Sequence, residues 1–401
     1  MVDRIFSCGV LRVVFLLSLQ APNSTKMPRN NRENPWVDME NRILTIEESK
    51  FNTLAAEIYR WQQSVCGSFH QWCELNNYNS HNPTFLPIQF FKTHTILSIE
   101  AVGEKNTGHQ PNFGTRKERE RDQEHSASFL VAENHIEPYL LFESSGTTLN
   151  QPSKHWVLNP ALYQRSFVNT FEQRFGNVQD LCIIGLLPAY LERKNSSLVY
   201  MVDHLINRSN HVDSGFYLYE YEKLWSLILH NENHQIPTVV FGVTFALLEL
   251  AEYVNSPSAP HNQQNPPSFA HIQWIETGGM KGRGKELTRA ELHDRLKTAF
   301  CTSSIESEYG MTELLSQAYT RPSDGRFQCP PWMKVMICDP MDPQDFLPWG
   351  KTGRICIIDL ANLYSCSFIA TDDLGKCYED GSFEVLGRID FSDLRGCNQL
   401  M

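Results

Sequence analysis

The stretch LLFESSGTT ends in Ser144, Ser145, Gly146, Thr147 and Thr148. Hydroxyls and backbone N–H groups around a glycine able to take positive φ make a concavity for phosphate oxygens. Lys154, a little further on, can neutralise charge there. A competing stretch, GMKGRGKE at 279–286, follows a predicted strand and precedes a predicted helix, as a P-loop does. Its last position is Glu286, where a P-loop has the Ser or Thr that meets Mg²⁺, so a carboxylate would stand beside phosphates. The first stretch is the better phosphate loop, although a Ser/Thr turn that binds nothing has the same composition.

The surrounding pattern shows what positions these residues. PYLLFESS and LCIIGLLP read as buried strands, SSLVYMVDHLI as a helix, TVVFGV as a strand and TFALLELAEY as a helix. HIQWIETGG then reads as a strand and KELTRAELHDRLKTAF as a helix. Such alternation predicts a parallel α/β sheet. Upstream, Thr45 and Glu48 fit a capping box, and the apolar spacing from Ile46 to Glu74 is helical. PTFLPIQFFKTH reads as a strand-like piece. After Phe327 the pattern changes to short strands, WMKVMICD, GRICIIDL, CSFIATDD and SFEVLGRID, which predict a β-rich lobe. Residues 102–127 read as a polar surface insertion and 255–268 as a loop.

Composition sets the outer bounds. The chain has 401 residues, 41% hydrophobic and 20% charged, which suits a globular protein with a large core. A net charge of −11 disfavours a nucleic-acid partner. The 11 cysteines include no C-x-x-C pair, which disfavours a structural zinc site, and they fit reduced thiols in a cytoplasm. MVDRIFSCGVLRVVFLLSLQA looks like a leader interrupted by Asp3 and Arg12, and its apolar run Val13–Leu17 is too short to span a membrane. Residues 1–36 are expected to be disordered or a misassigned start, with Met27 or Met39 as alternative initiators.

Five short motifs recur in a fixed order: SSGTT at 144–148, TGG at 277–279, EYGMTE at 308–313, TDD at 371–373 and GRID at 387–390. In this order and at such distances they resemble the adenylate-forming enzymes, the superfamily of acyl-CoA synthetases and adenylation domains. Within it EYGMTELLSQAY, CPPWMKV, DLANLYSCSFIATDDLG and FEVLGRIDFSDLRGCN are similar to the LuxE-type acyl-protein synthetases, the long-chain fatty acid–protein ligases of bacteria. The resemblance covers roughly residues 37 to 401.

The resemblance implies an α/β adenylate-forming core at 37–326 and a β-rich lobe at 327–401, without the small lid domain and its catalytic lysine that larger members carry. It also implies that Ser144 to Thr148 hold the phosphates of ATP, that Gly278 and Gly279 border the adenine and that Tyr309 packs on the base. Thr312 would touch the α-phosphate, Glu313 would hold Mg²⁺, Asp373 would bind the ribose hydroxyls, and Arg388 would assist ribose and phosphate. Asp390 matches the hinge position. These residue types suit the tasks: a carboxylate accepts two hydroxyls, a guanidinium forks onto phosphate, and a hydroxyl donates to a developing anion. Taken singly, each has a plainer reading: Tyr309 as core, Asp372 and Asp373 as a turn, Arg388 and Asp390 as a surface ion pair. One departure is Leu149, where the family has glycine. Lys154, Lys281 and Arg283 are the candidates for the charge of the missing lysine.

The resemblance further implies an acyl group carried on a cysteine near the C-terminus, here Cys397, beside Arg395. A thiolate displaces AMP readily from an acyl adenylate. Cys366 and Cys377 are the alternatives, and His155 is a lesser candidate for a base. The expected substrates are a long-chain fatty acid, ATP and Mg²⁺, with a fatty acyl reductase or an acyl carrier protein as partner. No membrane insertion is expected. Two other readings remain: a ligase delivering acyl or aryl groups to coenzyme A or a carrier, and a nucleotide-binding protein without catalysis.

Overall fold

The structure, a computed structural model, describes residues 35–76, 83–98, 140–144, 151–188, 195–257, 259, 269–278, 287–342 and 344–389. The chain divides into two compact units. The first comprises Met1–Tyr163, Thr312–Leu315 and Pro331–Met401; the second comprises Gln164–Met311 and Ser316–Pro330. No helix among the described residues is long and apolar enough to cross a membrane.

In the first unit the helices α1 (Pro35–Leu44), α2 (Phe51–Val65), α3 (Gly67–Leu75) and α4 (Phe90–Thr93) accompany two sheets. One sheet is a hairpin of β2 (Leu140–Glu143) and β3 (Lys154–Val157). The other is antiparallel, in the order β11 (Met333–Cys338), β12 (Gly353–Asp359), β13 (Phe368–Cys377), β14 (Phe383–Arg388), with the short β1 (Leu86–Pro87) parallel to β13. Strand β12, GRICIID, is buried along its whole length, as a central strand rich in isoleucine should be. Phe368 anchors the core. Its ring meets Tyr59 edge-on at 4.8 Å, lies parallel to Phe69 at 6.1 Å and meets Phe85 at 6.0 Å.

The second unit is a sheet in the order β10 (Phe327–Gln328), β9 (Ala318–Thr320), β8 (Glu306–Tyr309), β7 (Ile272–Thr277), β6 (Thr238–Val243), β4 (Cys182–Leu186), β5 (Gly215–Phe216). From β5 to β8 all neighbours are parallel, whereas β8, β9 and β10 pair antiparallel. Helix α5 (Pro160–Phe175) precedes β4, and α6 (Ser197–Arg208), α7 (Tyr221–Asn233), α8 (Thr244–Val254) and α9 (Arg289–Phe300) connect the parallel strands. CIIGL and TVVFGV are buried at every position, as parallel strands covered on both faces require. The order reverses at β4: the chain goes from β4 to β5 on one side, then to β6 on the other. Such a switch point opens a crevice at the carboxyl ends of the strands.

The parallel α/β sheet and the later β-rich pattern are therefore both present. Four local expectations are corrected. LLFE does not join the parallel sheet but forms one arm of the β2–β3 hairpin. The helical run from Ile46 to Glu74 is broken at Cys66, whose ψ of 100° is extended, just before Gly67. Thr45 caps no new helix; its hydroxyl donates to the Asn41 carbonyl at 2.7 Å, at the end of α1. PTFLPIQFFKTH forms only the short β1 followed by α4. Pro35 and the residues after it are helical, while residues 1–34, the insertion at 102–127 and most of the loop at 255–268 lie outside the described residues.

Candidate functional site

The first unit gathers part of the predicted set around a turn at Thr312 and Glu313. This segment belongs to no helix or strand, so its backbone groups have no ladder to pair in. Side chains supply the partners. The Nδ1 of His155, on β3, donates to the Thr312 carbonyl at 2.9 Å, and its Nε2 lies 2.9 Å from the Ser365 hydroxyl. The Nδ2 of Asn362 donates to the Glu313 carbonyl at 2.8 Å. The Leu315 N–H donates to both Asp359 Oδ2, at 3.0 Å, and Asn362 Oδ1, at 2.9 Å. Gln62, on α2, donates to the carbonyls of Asn362 at 3.0 Å and Leu363 at 2.9 Å.

His155 is thus a structural strut rather than a base. Burial lowers its pKa to about 4, despite the opposing bond to Thr312, so the ring is neutral near pH 7. Its Nδ1 proton is fixed by the carbonyl it faces, which leaves Nε2 to accept from Ser365.

The hairpin carries the proposed phosphate loop on its connection. Ser144 closes that connection: its N–H donates to the Ser153 carbonyl at 3.0 Å, and its hydroxyl accepts from the Ser153 N–H at 2.8 Å. The Ser153 hydroxyl in turn is close enough to the Glu313 carboxylate to pull its pKa down. The hairpin and the GMTE segment are therefore tied together through His155, with Ser153 beside Glu313. Ser145, Gly146, Thr147, Thr148 and Leu149 lie outside the described residues. Lys154 is exposed at the start of β3, opposite Glu143.

Glu313 is 5% exposed. Burial pushes its pKa up, while the Ser153 hydroxyl and the positive charges of Lys92 and Arg388 pull it down. A buried carboxylate of this kind fits a cation. Among the described residues no three His, Cys, Asp or Glu side chains gather to hold a metal. One carboxylate supplemented by phosphate oxygens is what Mg²⁺ in a nucleotide site commonly takes from a protein.

Asp372 and Asp373 sit within β13 and form no turn. Asp373 pairs in register with Arg388 of β14, and their side chains approach to 3.6 Å. Arg388 is 86% exposed and Asp373 14%, so the pair adds little to stability. The Thr371 hydroxyl accepts from the Asp373 N–H at 3.1 Å, and Gln89 donates to Asp372 at 2.5 Å. Asp390 lies outside the described residues.

In the second unit Gly278 and Tyr309 stand at the carboxyl ends of the adjacent strands β7 and β8, where Thr277 and Glu308 pair in register. Gly278 is exposed and has φ of +82°, a conformation that favours glycine. Tyr309 is buried with its ring 5.8 Å from Phe327, which in turn lies under the Arg289 guanidinium at 4.9 Å. The Thr277 hydroxyl donates to Glu308, whose pKa is pushed up to about 7 by desolvation and by the nearby Glu276 charge. Gly279, Lys281 and Arg283 lie outside the described residues, together with the rest of the P-loop-like stretch. The helix after it is α9, opened by a capping box of Thr288 and Glu291.

Of the acyl-acceptor candidates, Cys366 and Cys377 are both buried. The Cys366 thiol points to the Phe368 carbonyl at 3.4 Å, and burial raises its pKa well above the usual range. Such a thiol is a poor nucleophile. Cys397 lies outside the described residues. The sequence did not single out Gln62, Asp359, Asn362 or Ser365. Their only signal was that most of them fall in the DLANLYSCSF stretch.

No protein-family model and no curated protein matches the chain. Among solved structures the chain is similar to ATP-bound MatB from Rhodopseudomonas palustris: 21% identity over 62% of this chain and 47% of that one, TM-score 0.45. It is also similar to a long-chain-fatty-acid–CoA ligase from Archaeoglobus fulgidus, with 14% identity over 65% and 53% and a TM-score of 0.45. A third is the amide bond synthetase McbA from Marinactinospora thermotolerans, with 16% identity over 62% and 48% and a TM-score of 0.41. The chain spans about half the length of these structures. At these values the likeness concerns the path of the chain and carries nothing about activity.

Proposed function

We propose that the chain activates a long-chain fatty acid with ATP and Mg²⁺ and passes the acyl group to a cysteine thiol. The observation that carries this reading is the joining of two motifs far apart in sequence: β3, which follows Ser144–Thr148 in the hairpin, holds Thr312 through His155. In the first half-reaction a carboxylate oxygen attacks the α-phosphorus and pyrophosphate leaves. The Ser144–Thr148 loop and Lys154 would hold the phosphates, Thr312 would donate to the α-phosphate, and Glu313 would hold Mg²⁺. Gly278, Gly279 and Tyr309 would flank the base, and Asp373 and Arg388 the ribose. In the second half-reaction a thiolate attacks the acyl carbon and AMP leaves. With Cys366 and Cys377 buried, Cys397 is the acceptor this reading favours.

The test uses ATP, Mg²⁺ and a radiolabelled fatty acid. The protein should take up label that neutral hydroxylamine releases, and it should catalyse acid-dependent ATP–pyrophosphate exchange. Cys397→Ser should keep the exchange and lose the thioester, since an alcohol without a base is a poor nucleophile. Exchange without labelling of either protein, but with turnover on added coenzyme A, would replace the protein thiol by a free one. Nucleotide binding without acid-dependent exchange would remove the ligase reading altogether.

A further inference from the structure

The turn that carries Thr312 and Glu313 is held almost entirely by side chains from outside it, and one of these does two tasks. Asn362 is fully buried and uses both ends of its carboxamide on the turn. Nδ2 donates to the Glu313 carbonyl at 2.8 Å and to the Cys366 carbonyl at 3.1 Å. Oδ1 accepts the Leu315 N–H at 2.9 Å. The donor grips the turn at Glu313 and the acceptor grips it beyond, so the carboxamide fixes the peptide planes between them.

Asn362 is itself immobilised. Gln62 donates to its carbonyl at 3.0 Å and to the Ser367 hydroxyl at 3.1 Å, and accepts the Ser367 N–H at 2.9 Å. Asp359 shares the Leu315 N–H at 3.0 Å through one carboxylate oxygen and accepts the Ala361 N–H at 3.1 Å through the other. Gln62, Asp359 and Asn362 are all fully buried, where each hydrogen bond is strong and an unmade one is costly. Within the turn, Leu314 and Leu315 are buried while Thr312 keeps partial exposure. The backbone on either side is held, and Thr312 is the partly exposed residue at its start.

We infer that Asn362 is a positioning residue for this turn: its carboxamide sets the orientation of the Thr312 hydroxyl and the Glu313 carboxylate toward nucleotide and cation. The inference rests on the proposed function for what the turn binds, and on the hydrogen bonds alone for what holds it. Asp359 supports the same N–H but does not reach Glu313, so its removal should matter less. Misplacing a reacting group by about 1 Å can cost on the order of a hundredfold in rate.

The experiment compares wild type, Asn362→Ala and Asn362→Asp with Asn231→Ala as control. Asn231 is equally buried, donates to the Thr238 hydroxyl at 3.0 Å in the second unit and touches no residue assigned to the site. Two readouts are taken: kcat and KM in pyrophosphate exchange, and the Mg²⁺ midpoint of ATP binding by calorimetry. Asn362→Ala should lower kcat by more than roughly tenfold and raise the Mg²⁺ midpoint, with KM for the acid unchanged. Asn362→Asp keeps the shape and the acceptor and loses the donor to the Glu313 and Cys366 carbonyls. It should show the same pattern, and it carries the test if the alanine variant does not fold. A folded Asn362 variant with wild-type kcat and midpoint would overturn the inference, and so would an equal shift in Asn231→Ala. A wild-type protein that binds Mg·ATP but shows no acid-dependent exchange would overturn the ligase reading instead; the calorimetric midpoint would then still decide the role of Asn362.

Discussion

Glu308 and Glu313 lie in one short stretch, ESEYGMTE, yet they are held in different ways. Glu308 is on β8, in the second unit, and its backbone is paired with β7 on one side and β9 on the other. Glu313 is on a turn of the first unit, and its backbone depends on Asn362 and on the neighbours that His155 and Asp359 hold. A sheet ladder accepts almost any side chain along it, whereas a turn held by side chains needs those particular residues. The electrostatics differ too. Glu308 has a hydroxyl and the Glu276 carboxylate beside it, so near pH 7 it is poised to hold a proton. Glu313 is also raised by its burial, but Lys92 and Arg388 oppose that rise, whereas the charge beside Glu308 adds to it. Two carboxylates from one motif are thereby both pushed up by desolvation, one with like charge beside it and the other with opposite charge.

The largest expected effect is on the turn. Glu313→Gln removes the anionic oxygen and should raise the Mg²⁺ midpoint for ATP binding by more than roughly tenfold, because a hard cation prefers a carboxylate. An unchanged midpoint by calorimetry would erase the contrast between the two glutamates.

Next is the pH dependence of the strand carboxylate. The folded-state pKa of Glu308 is raised from 4.5 to about 7, so the folded protein holds this proton more tightly than the unfolded chain. Its contribution to stability is therefore greatest at low pH and falls as pH rises from 4.5 through about 7. Glu308→Gln keeps an acceptor for Thr277 and should be more stable than wild type at pH 8, with a weaker decline in denaturation midpoint between pH 5 and 8. One such proton changes stability by at most about 1.4 kcal/mol per pH unit. Identical pH profiles for the two proteins would show that Glu308 is not the proton holder.

A smaller effect is expected at Gly310, between the two glutamates. A Cβ there would press on the Glu308 carboxylate and come within 3.3 Å of Gln317. Gly310→Ala should push Glu308 off Thr277 and cost about 1 kcal/mol, the worth of one hydrogen bond. A chemical denaturation midpoint equal to wild type would mean the carboxylate swings aside freely.

The smallest change in stability belongs to Arg388→Gln. Its exposed pair with Asp373 should be worth less than about 0.5 kcal/mol, so the melting temperature should hardly move. If Arg388 assists the nucleotide, affinity for ATP should fall all the same. A lower melting temperature with unchanged ATP affinity would turn it into a structural residue.

Much of the second unit was legible in the sequence. TVVFGV, LCIIGL and IQWIET are runs of β-branched and aromatic residues, and each became a parallel strand near its expected bounds. Their period and their separation by helical segments are local properties, so they can be read locally. The first unit was legible in its late strands but not in its site. LLFE has the composition of a buried strand, and only its partner β3 reveals a hairpin. Gln62 reads as one polar residue on a helix, and Asn362 as one amide after a strand. What makes them matter is that they meet, and neither period nor propensity encodes a meeting between residues so distant.

That distance also dictates an order of events. Gln62 and Asn362 are 300 residues apart. On a ribosome, which releases the chain from the N-terminus, α2 must wait with its amide unmatched until residue 362 has been made. The second unit, drawn from Gln164–Met311 and Ser316–Pro330, has all its strands available before β11 to β14 emerge. Contacts of such long range are slow to close and leave apolar surface open meanwhile. A chain stopped short of residue 362 would retain the GMTE motif and lack the amide that steadies it.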